Sequence, residues 1–199
     1  MQSDWRKLWW IGAAGTLVLL AALISCSPAA GTGPNAAAAT PVSGDPLYLQ
    51  SGQVSQWAAG AEASSEFANP EWAALQAVGE PDTTRCGDYA TAWATAGSDT
   101  VETLVLTYTQ AVHVVGINIV QSFNPNQVVR VELVGSFGRA ATVYEGEPYQ
   151  VDQPCPFILA IPVERTNARF DRLRITVDQS VLGLGWNEID AVELIGESE

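Results

Sequence analysis

The sequence predicts an all-β protein, an antiparallel β-sandwich with one short N-terminal helix. Apolar and polar residues alternate with period two in several short segments. Almost none of the rest of the chain has helical periodicity. Seven segments qualify as strands: 104–108, 115–119, 129–133, 141–145, 157–163, 173–177 and 188–195. Turn signals separate some of them, such as Asn124-Pro125-Asn126 and Gly183-Leu184-Gly185. Many short strands with this patterning are typical of a sandwich.

The one predicted helix covers residues 69–79 and has about two turns. Asn69 would cap it, Pro70 would take the first helical position, and Gly79 would end it in a left-handed conformation. Residues at three-residue spacing would form its buried stripe: Trp72, Leu75 and Val78.

The first 25 residues have the pattern of an export signal. Arg6 and Lys7 precede an uncharged, largely apolar stretch over residues 8–24. The tetrapeptide Leu23-Ile24-Ser25-Cys26 resembles the bacterial lipobox, in which cleavage leaves the cysteine as a new, acylated N-terminus. The resemblance implies a signal peptide over 1–25 and lipidation, such as palmitate, on Cys26. The alternative is an uncleaved membrane helix with a coincidental cysteine. Both interpretations place the rest of the chain outside the cytoplasm, anchored to the cell membrane.

Residues 26–52 are rich in Ala, Gly, Pro, Ser and Thr, which cannot bury an apolar core. They predict a flexible linker that lets a domain stand off the bilayer. The predicted globular domain covers residues 53–199.

Composition excludes several classes of function. Twenty-two carboxylates oppose nine Lys or Arg, for a net charge of −13. A surface this acidic repels phosphate backbones, so we expect no nucleic-acid partner. One His and three Cys leave little material for a zinc site, a haem site or a His-dependent triad. The sequence therefore predicts a protein that binds a ligand and is not an enzyme.

Cys86 and Cys155 remain once Cys26 is acylated. An even pair in an exported domain predicts a disulfide, and two free buried thiols are the alternative. A bridge closing about 70 residues would contribute about 4 kcal/mol in the chain-entropy account.

Several segments together resemble one known family of β-sandwiches. They are Ala63-Ser64-Ser65-Glu66-Phe67, Trp72 through Asp82, Cys86-Gly87-Asp88, Thr91-Ala92-Trp93-Ala94 and Trp186 through Gly196. The family is the galactose-binding-like, discoidin-like domain of the coagulation factor 5/8 type C superfamily, which includes family-32 carbohydrate-binding modules. The resemblance implies an eight-stranded jelly roll whose variable rim loops bind sugars, lipids or proteins.

The resemblance also implies a structural calcium ion near the loop after the helix. Loop candidates are Asp82 and Asp88, with Thr91 as a hydroxyl ligand. The last strand of many sugar-binding members carries a glutamate where this chain has Ala191. Glu188 and Asp190 lie close to that position and offer the hard oxygen ligands that calcium needs.

Asp190 shares a strand face with Val192 and Leu194, so its carboxylate would start a buried row. A buried carboxylate needs donors or a cation. The donors would be hydroxyls of Ser64 and Ser65, backbone amides of the 80–88 loop, or Arg85. A satisfied structural carboxylate and a calcium ligand both remain open.

The ligand site is predicted at the loop rim, in the segment 122–127. Phe123 offers an aromatic face, and Asn124, Asn126 and Gln127 offer amides beside a rigid proline. Trp57 would contribute if it shares that rim. The alternative is an ordinary Asn-Pro-Asn turn with Phe123 folded inward.

Two functions follow from these patterns. One is a membrane-anchored, non-catalytic binding module that recognises a glycan or a similar polar ligand through its rim. The other is an interaction or assembly lipoprotein that docks a protein partner and binds no sugar.

Overall fold

The computed structural model describes residues 42–43, 45–135, 138–151 and 156–199. The predicted signal peptide, Cys26, most of the predicted linker and Cys155 lie outside the described residues. Of the helical segments within the described ranges, none has the length and apolar character needed to cross a membrane.

Within these ranges the chain forms nine strands, and a 3-10 turn lies between the third and fourth strands. The strands are β1 (Val42–Ser43), β2 (Val54–Trp57), β3 (Gly60–Ala63), β4 (Val101–Phe123), β5 (Val128–Val134), β6 (Ala140–Glu145), β7 (Phe157–Pro162), β8 (Phe170–Asp178) and β9 (Glu188–Glu197). The 3-10 turn is Ala74–Ala77. All strand pairs are antiparallel.

Two sheets share the long strand β4. The first sheet has the order β1-β7-β4-β9-β2, and the second has the order β3-β4-β8-β5-β6. The N-terminal half of β4 pairs with β8 as far as Thr107, where the register shifts before Val112. From His113 onward β4 pairs with β9. A bulge bends and twists a strand, which lets one strand serve two sheets.

The core lies between the sheets and comes from the alternating apolar rows. In the second sheet, Leu104 and Leu106 on β4 lie beside Ile175 and Leu173 on β8. All four side chains are fully buried. Ile117 and Ile119, further along β4, are fully buried as well. The predicted all-β, antiparallel sandwich is therefore confirmed.

The strand boundaries differ from the predicted ones in two ways. The segments 104–108 and 115–119 belong to one strand, because β4 continues through the bulge without a turn. Three short strands were not predicted: β1, which has two residues within the predicted linker, and β2 and β3, which have four residues each and show no alternation of buried and exposed positions.

The predicted helix over residues 69–79 is wrong. A 3-10 turn at Ala74–Ala77 takes its place, and Trp72 has a positive φ of 53°. Ala73 precedes the turn and offers no side-chain cap, but the Glu66 carboxylate accepts a hydrogen bond from Ala74 N at 2.8 Å.

The predicted stripe of that helix is wrong too. Leu75 is 64% exposed and Trp72 is half-buried, whereas Ala74 and Ala77 are the buried residues of the turn.

Residues 45–50, which we call the strap, cross the outer face of the first sheet. Asn118 Oδ1 accepts a hydrogen bond from Leu47 N at 2.9 Å, and Asn118 Nδ2 donates one to Leu47 O at 3.1 Å. Leu47 lies over Gly116, where an added Cβ would be 2.6 Å from Leu47 Cδ1. The end of the predicted linker thus contacts the sandwich closely.

Candidate functional site

A cavity of about 330 Å³ opens at one end of the sandwich, which we call the rim cavity. The loops that follow β4, β6 and β8 converge there with the segment before Tyr89. The lining residues are Cys86, Gly87, Phe123, Asn124, Pro125, Gln150, Val151 and Leu184. None of these described lining residues carries a formal charge at neutral pH, although the chain as a whole is strongly acidic.

The Asn-Pro-Asn turn joins the loops of the rim. Asn124 and Asn126 have positive φ angles of 38° and 70°, which asparagine tolerates better than most residues. Asn124 Nδ2 donates to Leu184 O at 2.8 Å, and Asn126 Nδ2 donates to Tyr149 O at 2.8 Å. The turn therefore holds the loops after β6 and β8 against its own backbone.

A network of buried amide side chains lies beneath the turn. Gln127 Nε2 donates to Asn124 O at 3.0 Å and to Gly185 O at 3.1 Å. Gln121 Oε1 accepts from Asn126 N at 2.9 Å and from Asn187 Nδ2 at 3.0 Å. These buried side chains join the loops of the rim, although Gln121 Nε2, Gln127 Oε1 and Asn187 Oδ1 have no hydrogen-bond partner among the described residues, so the network is only partly satisfied.

The structure places the five predicted ligand-binding residues at different depths and on two surfaces. Phe123 and Asn124 line the rim cavity. Asn126 and Gln127 are buried, and the contacts of their side chains are with other rim residues. Trp57 lies on β2 and lines a separate cleft on the outer face of the first sheet. The lining residues that the sequence did not assign to the ligand site are Cys86, Gly87, Gln150, Val151 and Leu184. The flanking glycines of Leu184 marked a turn but gave no sign of where that turn packs.

Glu188 and Asp88 form a carboxylate pair beside an aromatic cluster. Glu188 is buried and accepts hydrogen bonds from Tyr89 N at 3.1 Å and Ser122 Oγ at 3.3 Å. Burial, together with the nearby Asp88 carboxylate, raises the pKa of Glu188 to about 7. Asp88 accepts a hydrogen bond from Trp72 Nε1 at 2.9 Å.

The aromatic cluster consists of Phe67 between Trp72 and Trp186. The Phe67 ring meets both indoles edge-on, with centroids 5.4 Å and 5.5 Å away. Trp186 Nε1 donates to Thr95 O at 3.0 Å. These contacts anchor the segment after β3 to the loop before β9.

Asp190 is the centre of a second carboxylate group. It is buried and accepts hydrogen bonds from Thr83 N, at 3.2 Å to each oxygen. Burial raises the pKa of Asp190, and the hydrogen bonds from Thr83 oppose that shift. Thr83 Oγ1 lies 2.6 Å from Thr91 Oγ1 and 3.4 Å from Asp82 Oδ1. Of the predicted donors, a backbone amide of the 80–88 loop satisfies Asp190.

The five predicted calcium ligands therefore fall into two groups, Asp88 with Glu188 and Asp82 with Thr91 and Asp190. Across the described ranges, no group of three or more His, Cys, Asp or Glu side chains is placed to hold a metal ion. Calcium at either group would need backbone carbonyl or hydroxyl ligands in addition to the carboxylates. Calcium binding stays a prediction.

The predicted disulfide also stays a prediction. Cys86 lines the rim cavity, and Cys155 lies outside the described residues.

A second, larger cleft lies between the strap and the outer face of the first sheet, and we call it the strap cleft. Its volume is about 710 Å³. The lining residues are Pro46, Leu47, Tyr48, Leu49, Trp57, Pro81, Thr83, Thr84, Asn118, Val120, Pro156, Ile158 and Glu193. Nine of these thirteen are apolar or aromatic, so the cleft is far more apolar than the chain's charge suggests.

The chain is similar to known proteins in sequence and in fold. Residues 48–199 match the family described as Pappalysin-1, SD scarf domain, C-terminal. The chain belongs to this family. No curated protein matches the sequence of this scarf domain.

Solved structures share the fold of this scarf domain at low sequence identity. The family 32 carbohydrate-binding module of C. perfringens NanJ, in complex with galactose, is 16% identical with a TM-score of 0.53, over 71% of this chain and 99% of that one. Chitosan-binding module 1 of the Paenibacillus sp. IK-5 chitosanase/glucanase is 16% identical with a TM-score of 0.52, over 68% and 92%. The Ruminococcus gnavus GH29 fucosidase E1_10125, in complex with fucose, is 14% identical with a TM-score of 0.52, over 74% of this chain and 26% of that one. The scarf domain therefore has the galactose-binding-like, jelly-roll fold of these modules.

Proposed function

We propose that this chain is an extracytoplasmic, membrane-anchored lipoprotein whose β-sandwich is a non-catalytic binding module for a neutral carbohydrate. The rim cavity is the observation that carries the proposal. Its volume of about 330 Å³ lies within the usual range of small-molecule sites. Its walls come from loops on a rigid sandwich, where binding residues commonly occur.

The chemistry of the cavity suits a neutral sugar. Phe123 presents an aromatic ring, and Asn124 and Gln150 present amides that can bond hydroxyl groups. The described lining has no Arg or Lys with which to pair a carboxylate or sulfate on a sugar. The acidic chain would also repel such anionic sugars at longer range.

Two of the similar structures support the choice of ligand class. The NanJ module is described in complex with galactose, and the Paenibacillus module is described as chitosan-binding. The fold alone does not assign a ligand, so we infer the ligand class from the lining of the rim cavity.

A non-catalytic role agrees with the contacts of the chain's one histidine. His113 Nδ1 lies 2.8 Å from Thr166 O, and Arg169 Nε lies 3.5 Å from His113 Nε2. The two carboxylate groups are held by backbone and hydroxyl donors of the protein and lie outside the lining of the rim cavity. Membrane anchoring depends on the lipobox resemblance at Leu23-Ile24-Ser25-Cys26.

A glycan array with the full chain in detergent tests the proposed ligand class. We expect binding to neutral glycans and weaker or no binding to sulfated and sialylated glycans. The Phe123→Ala variant should reduce affinity at least roughly tenfold, because a stacked aromatic contributes on the order of 1.5 kcal/mol or more.

Trp57→Ala is the matched control, since it removes an aromatic ring from the strap cleft and leaves the rim cavity intact. If Trp57→Ala abolished glycan binding and Phe123→Ala did not, the rim cavity would be the wrong site. If the array stayed silent and a pull-down recovered a protein partner, the interaction-lipoprotein hypothesis would replace this one.

A further inference from the structure

We propose that the strap cleft is the surface through which the sandwich contacts the lipid bilayer. This inference rests on the proposed membrane anchor and concerns a different face from the rim cavity. The contact would be made by apolar side chains at the bilayer interface and would not replace the anchor.

The strap leaves two large apolar side chains exposed at the mouth of the cleft. Tyr48 is 77% exposed and Leu49 is 52% exposed. Single exposed apolar residues are common on proteins. These two are adjacent in sequence and border a cleft that also contains Trp57 and Ile158, so they form part of a continuous apolar surface.

The cleft is also almost free of charge. Among its described lining residues, Glu193 is the one carboxylate, and no Lys, Arg or His is present. Asp45, at the start of the strap, is a further carboxylate and is exposed to water. Both Glu193 oxygens accept hydrogen bonds, Oε1 from Ser55 Oγ and Oε2 from Asn118 Nδ2 at 2.7 Å. A near-neutral apolar surface suits the interface of a zwitterionic bilayer, where Tyr and Trp side chains are enriched.

The position of the cleft along the chain favours lipid over a protein partner. The strap begins about 20 residues after the predicted lipidated Cys26. β1 begins 16 residues after Cys26 and pairs with β7 in the first sheet, and even a fully extended chain of 16 residues spans at most about 55 Å. The anchor therefore holds the strap near the headgroups at high effective concentration, so a weak apolar contact is enough to orient the domain.

Photo-crosslinking tests the contact. The full chain is reconstituted into phosphatidylcholine vesicles that contain a small fraction of diazirine-labelled phosphatidylcholine. Lipid adducts are then mapped by mass spectrometry. We expect adducts on peptides carrying the strap and Trp57, and few on the outer face of the second sheet.

The variant Tyr48→Ser with Leu49→Ser should lower the adduct yield at Trp57 roughly tenfold, because burying two such side chains contributes more than about 1.4 kcal/mol. Both side chains are largely exposed, so this variant should fold normally. The matched control is Val101→Ser with Val181→Ser, at positions 59% and 51% exposed away from the strap cleft. The control should keep the parent adduct pattern.

Vesicle flotation separates the two levels of the proposal. Chains that float but carry equal adducts on both sheets, or none on the strap, would overturn the strap-cleft contact and leave the anchor standing. Equal yields from the parent and the Tyr48/Leu49 variant would overturn it as well. Chains that do not float would overturn both the anchor and the contact.

Discussion

Both carboxylate oxygens of Asp190 accept a hydrogen bond from the backbone N–H of Thr83, at 3.2 Å each. Asp190 belongs to the last strand and Thr83 to the long segment that connects β3 to β4. The contact joins residues 107 positions apart and fastens that segment to the sheet. Both residues are buried, so if one of them were removed, water could not reach the other to replace the hydrogen bond.

Asp190→Ala should therefore destabilise the protein. Removing the carboxylate leaves the buried Thr83 N–H without an acceptor, at a cost of about 1–3 kcal/mol. Thermal unfolding followed by circular dichroism should show a melting temperature lower by several degrees. Asp190→Asn keeps an acceptor oxygen, so its melting temperature should fall by less than that of Asp190→Ala. Asp99→Ala removes an exposed carboxylate and should leave the melting temperature unchanged; equal losses at Asp99 and Asp190 would refute the argument.

Glu188 should make stability depend on pH between about 4.5 and 7. Its pKa is raised to about 7 in the folded protein, so the folded state binds its proton more tightly than the unfolded state does. The stability from this group is fully present below its unfolded pKa and is lost as the pH rises through 7. The loss should approach roughly 3 kcal/mol.

Urea unfolding of the parent and Glu188→Gln at several pH values measures this contribution. The difference between the two unfolding free energies should change across this pH window and stay flat outside it. Glu80→Gln, at an exposed carboxylate, is the control and should track the parent. A parent and Glu188→Gln with parallel pH profiles would show that Glu188 titrates normally.

Calcium binding is predicted by the resemblance of Asp82, Asp88, Thr91, Glu188 and Asp190 to the family's site. Millimolar CaCl2 is then expected to raise the melting temperature relative to EDTA. A ligand bound only by the folded state at a hundred times its Kd adds about 2.7 kcal/mol. Magnesium at the same concentration controls for ionic strength. Superimposable melting curves in CaCl2 and EDTA would show that the folded protein does not bind calcium.

Cys86 and Cys155 are predicted to form a disulfide. Peptide mapping without reduction should find the two residues joined, and alkylation of the unfolded chain should then label neither. Cys86→Ser should lower the free energy of unfolding by about 4 kcal/mol in the chain-entropy account. Two alkylatable thiols in the exported protein would contradict the pairing.

Cys26 is predicted to carry the lipid anchor. Metabolic labelling with a palmitate analogue should mark the parent chain and should fail with Cys26→Ala. Cys86→Ser controls for labelling of the remaining cysteines and should be marked like the parent. A parent chain that reaches the membrane unlabelled would indicate an uncleaved N-terminal helix.

Period-two alternation was enough to predict the sandwich, because burial on one face of a sheet leaves a direct record in the sequence. The same pattern did not predict β2 and β3, because neither of these four-residue strands contains a buried residue. It also divided β4 in two, since a bulge changes the paired partner without a turn residue at that point.

The failed helix shows how tertiary contacts overrule a local pattern. Asn69, Pro70 and Gly79 have the types and spacing of helix ends. Trp72 instead takes a positive φ while its indole donates to Asp88 and packs against Phe67. Asp88 is 16 residues from Trp72 in sequence, and Phe67 also packs against the distant Trp186. A rule based on local sequence therefore has no means to weigh these contacts against the cap signals.

The sequence by itself determined the two-layer β class, the burial of Asp190 and an uncharged Asn-Pro-Asn loop, because each follows from residue type and strand parity. Only the tertiary structure decided which of the predicted ligand residues meet. Phe123 and Asn124 line the rim cavity together with Leu184, whereas Trp57 lines the strap cleft. The physical reason is that loop convergence depends on sheet register and on long-range hydrogen bonds such as Asn124 to Leu184, and neither leaves a periodic signature in the chain.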